Sequence, residues 1–189
     1  MLSEELLSRY AAGERNFRKA YLVWADLLGA YLAGADLLGA YLMGAYLNES
    51  SLAGADLRRA DLSRAYLYRA DLSGAYLREA DLNHSDLSRA NLSEANLNRA
   101  NLSEANLTEA NLSQANLTGA DMTLAYLRRA NLEGTNLSQA NLTGADLSRA
   151  YLNDTDLRGA DLKRASLKGA NLKGAKLSGA RMPDGSFHS

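Results

Sequence analysis

Leucine recurs every fifth residue from Leu22 to Leu177, broken once by Met122, and most of these leucines follow an alanine two residues earlier. From Ala20 to Gly179 the register never slips, so 160 residues divide into 32 pentads that each start at a position ending in 0 or 5. The third residue is Leu in 31 pentads and the first is Ala in 28, with Ser50, Ser85, Thr135 and Thr155 as the others. The second is mostly Asp, Asn or Tyr, and the last two are largely polar or glycine.

A period of five suits neither common element. On an α-helix successive leucines would step round by about 140° and leave no single apolar face. On a flat strand an odd period would send alternate leucines to opposite sides. Within one pentad, however, Ala and Leu stand two apart, so both can point inward from a short extended segment. The two residues that follow can then turn the chain by about a right angle. Four such sides close a coil of 20 residues, and coil stacks on coil. Of 15 glycines, 13 take the fifth position, where the third residue of a type II turn needs φ > 0. Asp and Asn at the second position can hydrogen-bond nearby backbone, as they do in turns. Eight coils at about 4.8 Å each make a rod roughly 40 Å long.

The pattern Ala-(Asp/Asn/Tyr)-Leu-x-x resembles the A(D/N)LXX motif of the pentapeptide-repeat family over about 85% of the chain. That resemblance implies an all-β fold, a right-handed quadrilateral β-helix of about eight coils. A short N-terminal capping α-helix is read from the residues that precede the repeat. Residues 1–14 are expected to form this helical cap, 15–182 the solenoid and 183–189 a C-terminal tail.

Stacked coils leave an unpaired edge at each end, and both ends carry signals for covering it. Ser3 is placed to cap a helix running to Ala11, with Glu4 and Glu5 favourable in its first turn and Gly13 to end it. Leu2, Leu6, Leu7 and Tyr10 give that helix an apolar side, and Phe17 takes the leucine position of an imperfect first pentad. Met182 takes it a last time before Pro183-Asp184-Gly185, a turn signature. With both ends read as capped, a monomer is favoured. The opening Arg9–Phe17 and the closing Met182–Ser186 resemble the ends of cyanobacterial pentapeptide-repeat proteins, among them regulators of the HetL type. That implies action through protein contact.

Composition narrows the chemistry. Lys plus Arg number 21 against 22 Asp plus Glu, net charge −1, so no strong field favours nucleic acid or a membrane surface. With no cysteine there are no disulfides, thiolate metal sites or cysteine nucleophiles. The acidic N-terminus lacks the charge of a signal peptide, no stretch reaches membrane-spanning length, and a cytoplasmic protein is expected. Most Asp lie at the structural second position, the two histidines (His84 and His188) have no partner at ligand spacing, and the serines have no base. The reading is of a non-enzyme with no catalytic residue, cofactor or metal.

Residues 20 apart should share a face, which maps the surface. One column holds Arg69, Arg89, Arg129 and Arg149 with Glu49 and Glu109, a candidate basic docking column for an acidic partner. Interleaved Glu and Arg on a solvated surface explain it as well. The opposite side carries Arg58, Arg59, Arg78, Glu79, Arg99 and Arg158, and a third has Glu94, Glu133 and Asp154. In the first coils Tyr21, Val23, Trp24, Tyr41 and Met43 should form one apolar patch, with Leu28 and Leu38 outward on other sides. Such a patch marks a partner site or a self-association face unless the N-terminal helix folds over it. Thr135 and Thr155 are expected to stack inward, one coil apart.

Three functions compete. The first is a protein-interaction scaffold or regulator presenting a rigid surface to another protein. The second is a DNA-mimicking topoisomerase (gyrase) inhibitor, which other family members are, although mimicry needs a strongly acidic rod. The third is a structural or consensus-designed rod with no natural partner.

Overall fold

Every fifth residue from Asn16 to Asp161 pairs in parallel with the residue twenty further on, from Asn16–Asp36 to Asp161–Arg181. The computed structural model, which describes residues 1–189, is therefore a four-sided β-solenoid with coils of 20 residues. Each side contributes a single bridged residue, the second of its pentad, and no extended strand forms, because a turn intervenes every five residues.

The pentad satisfies its own backbone donors, as Ala60–Arg64 shows. Ala60 N–H closes the turn on the Leu57 carbonyl, Asp61 N–H donates back to Ala40, and Leu62 and Arg64 N–H donate forward to Asp81 and Asn83. The fourth N–H, of Ser63, donates to the Asp61 carboxylate at 3.0 Å. All five donors are thus used, which is why Asp or Asn is placed second. The turn is set by the fifth residue, at φ 57° in Arg64 and 63° in Gly54. This is the left-handed conformation glycine adopts freely, and arginine does so at a cost.

Leucine and alanine columns fill the interior, and Leu47 to Leu162 are essentially inaccessible. Phe17 and Met122 take leucine places in the core. Among the polar exceptions, Ser50 and Ser85 donate to the carbonyls of Leu47 and Leu82 in their own turns, both at 2.7 Å. Thr135 and Thr155 do not bond each other as a stacked pair. Each hydroxyl donates to the coil below, to Leu112 and Leu132 at 2.7 and 2.8 Å, where a carbonyl lone pair lies within reach.

A helix α1, Ser3–Ala11, seats Leu6 and Tyr10 on the first coil, where the Tyr10 hydroxyl donates to the Ala33 carbonyl at 2.6 Å. It starts without the expected serine cap. Leu2 holds the cap position with no side-chain bond, and the start is fixed by the Met1 ammonium on the Tyr21 carbonyl at 3.2 Å. Gly13, at φ 96°, ends it. The far end is not closed in the same way. The tail folds back on one side only, with Arg181 and Phe187 in an antiparallel bridge and Met182 N–H on the Ser186 carbonyl. Leu167, Leu172 and Leu177 stay partly exposed, because the tail pairs only along the Gly179–Met182 side of the square. No helix is long and apolar enough to cross a membrane.

Candidate partner-binding surface

Trp24 sits at a left-handed fifth position, φ 57°, so its side chain leaves the corner of the first coil sideways. Twenty residues on is Gly44, and the six-membered ring of Trp24 fills the space that a Cβ there would need. The indole buries Gly44 and still exposes 53% of its own surface. A glycine floor under a large neighbour recurs with Leu124 over Gly144, Gln114 over Gly134 and Gln139 over Gly159.

Around this corner the apolar residues come together. Tyr21 and Tyr41 are bridged through their backbones, with ring centroids 6.1 Å apart. Trp24 N–H donates to the Met43 carbonyl at 3.0 Å, which fixes the fourth-position pair Val23 and Met43 beside them. Tyr21 is 65% exposed and Tyr41 48%, while Val23 and Met43 are half-buried. Helix α1 packs across the end of the first coil and leaves these rings in solvent. Period counting overlooked the neighbouring side, where Tyr46 and Tyr66 stack at 5.1 Å with planes 4° apart. The signal was available, since both are second-position tyrosines 20 apart. Gly44 as a floor was not legible, because glycine serves the turn at twelve other fifth positions.

The arginine column is largely neutralised along its length. Arg69 meets Glu49 at 3.5 Å, and Glu109 is shared by Arg89 at 2.9 Å and Arg129 at 3.5 Å, leaving Arg149 without a carboxylate. Arg89 also donates to the Tyr68 hydroxyl at 3.4 Å, and this bond, with Glu109, raises its pKa further. On the opposite side Arg58 and Arg158 each chelate the Asp two residues before them, and Arg59 and Arg78 share Glu79. The hydrogen bonds from these arginines hold Asp56, Asp156 and Glu79 below the usual carboxylate range. His84 lies 3.5 Å from Glu104, and no group of three or more His, Asp or Glu is placed to hold a metal ion.

The family model of pentapeptide repeats matches the chain in eight copies, over 16–45, 25–64, 40–78, 70–108, 85–123, 105–144, 120–159 and 145–182. Among solved structures the chain is similar to HetL, a pentapeptide repeat protein involved in heterocyst differentiation regulation in the cyanobacterium Nostoc sp. It shares 40% identity with HetL over all of both chains, with a TM-score of 0.41. A pentapeptide repeat protein of the Arabidopsis thaliana thylakoid lumen is 28% identical over 61% of this chain and 70% of its own, TM-score 0.31. QnrB1, a plasmid-mediated fluoroquinolone resistance protein, is 18% identical over 86% of both, TM-score 0.29. Among proteins of curated function, none matches.

Proposed function

The chain belongs to the pentapeptide-repeat family, and from that premise we propose that it is a non-enzymatic, cytoplasmic interaction scaffold with that family's right-handed winding. Its contact face is the patch Tyr21, Val23, Trp24, Tyr41 and Met43, and its partner is another protein. The observation that carries this reading is the indole of Trp24, seated on Gly44 with half its surface in water. A rigid aromatic on a backbone floor loses little freedom on docking, the property that makes Trp and Tyr frequent binding anchors. The column Arg69, Arg89, Arg129 and Arg149 is the secondary contact, strongest at the unpaired Arg149. DNA mimicry is disfavoured, because the carboxylates of the rod are interleaved with arginine and offer no continuous line of negative charge.

The test is solution mass by light scattering and partner capture, for wild type and for Trp24→Glu with Met43→Glu. A folded double variant that loses a partner or a dimer retained by wild type supports the patch as contact face. Equal capture by both proteins refutes it, and potent inhibition of gyrase supercoiling by wild type would put the DNA-mimic reading in its place.

A further inference from the structure

The two ends of the solenoid are chemically unlike, and the difference follows from the hydrogen-bond pattern of the pentad. The third and fifth N–H of each pentad donate towards the C-terminal end, while only the second donates towards the N-terminal end. The last coil therefore presents more orphan donors than orphan acceptors. The N–H groups of Leu167, Gly169, Leu172, Gly174 and Leu177 have no acceptor, whereas Gly179 is satisfied by the tail at His188. Within the rim of this edge Leu167, Leu172 and Leu177 are partly exposed.

Charge adds to the same polarity. Lys163, Arg164, Lys168, Lys173 and Lys176 surround the end and none is in an ion pair, while Arg181 takes Asp161 at 3.5 Å. Lys176 stands one coil above Asp156, but that carboxylate is already chelated by Arg158. Unpaired cations, orphan N–H donors and apolar side chains thus converge on one surface.

We infer that the open C-terminal coil is a docking site for an amphipathic helix with an acidic rim, contributed by a partner protein. The square edge turns every five residues, so a straight strand could pair with one side only. At the other end of this chain the same square is covered by a helix, α1, through Leu6 and Tyr10. A helix laid across the C-terminal end would cover the leucines and bring its carboxylates to the free N–H groups and lysines. A second copy docked end to end would instead bring together two sets of five cations, each set against only Asp154 and Asp184 among side-chain carboxylates free of ion pairs. A net excess of like charge at an interface is unfavourable.

The test uses the full chain and a fluorescent helical peptide of about 18 residues, of a length that can fold as a helix, with leucine on one face and glutamate on the flanks. Controls are the same peptide with lysine for glutamate and with serine for leucine. The protein variants are Lys168→Glu/Lys173→Glu/Lys176→Glu and, as an equal change of net charge away from the end, Lys19→Glu/Arg64→Glu/Arg99→Glu. The acidic leucine peptide should bind wild type and the second triple variant with similar affinity. The end triple variant, with unchanged circular dichroism, should lose at least about tenfold. Equal weakening in both triple variants would reduce the effect to bulk charge. Equal binding of the serine peptide would make the end a plain anion surface, and a wild-type dimer abolished by the acidic peptide would give the site to a second copy. Each of these three results overturns the assignment.

Discussion

Replacing Gly44 by alanine tests whether the Trp24 anchor rests on its glycine floor, and Gly54→Ala supplies the reference. Both glycines are left-handed, at φ 65° and 63°, but a Cβ at Gly54 meets nothing within 4 Å whereas one at Gly44 runs into the Trp24 ring. At Gly54 the change costs about 1–2 kcal/mol of backbone strain, offset by about 0.4–1 kcal/mol of lost unfolded-state entropy. The net loss is about 1 kcal/mol. At Gly44 the indole must also leave. Roughly half of a Trp surface is covered, on the order of 100 Å², and at about 25 cal/mol per Å² its full loss would cost a further ~2.5 kcal/mol, of which a displaced ring that finds new contacts loses only part. Gly44→Ala should thus cost about 2–3 kcal/mol in guanidinium unfolding followed by circular dichroism. Trp24 is the one tryptophan of the chain, so its emission should shift to the red and its quenching by acrylamide should rise in Gly44→Ala alone. Equal stability loss in the two variants with unchanged emission would refute the floor, and with it the claim that the anchor is pre-organised.

Other parts of the scaffold give separate outcomes. Asp61→Ala strands the Ser63 N–H and should cost about 1 kcal/mol, whereas Asp61→Asn keeps an acceptor and should be close to neutral in the same unfolding assay. Asp56 is held below its ordinary pKa chiefly by the Arg58 hydrogen bond. Its contribution to stability is therefore full above the unfolded carboxyl value near 3.9 and is lost as pH falls through the lower folded value. A carboxyl NMR titration should place the Asp56 midpoint below 3.9, and Arg58→Ala should return it upward; an unmoved midpoint would contradict the assignment. Leu92→Ala, in the middle of the buried column, should cost about 2–5 kcal/mol, since stacked coils on both sides limit collapse of the cavity. Arg64→Gly relieves left-handed strain with no ion pair to lose and should raise the unfolding midpoint, the reverse of Gly54→Ala.

The amino-acid sequence by itself determined the coil. A strict five-residue period with Ala and Leu two apart lets both point inward from every side of a 20-residue ring. Column membership, the turn at the fifth residue and the role of Asp or Asn at the second could therefore all be read before any coordinates, while the handedness and square section came from the family resemblance. Tyr21, Val23, Trp24, Tyr41 and Met43 were assigned to one face by that counting alone. The tertiary structure decided what period cannot carry, namely the direction and reach of side chains between coils. Glu109 lies between Arg89 and Arg129 and is shared by both, Thr135 reaches the Leu112 carbonyl and not Thr155, and the Trp24 ring settles on Gly44. The ends too were decided there, because a repeat specifies only what a coil does when it has neighbours on both sides. At the first coil α1 supplies the missing neighbour, while the tail covers one side of the last coil and leaves the third- and fifth-position N–H groups from Leu167 to Leu177 without acceptors.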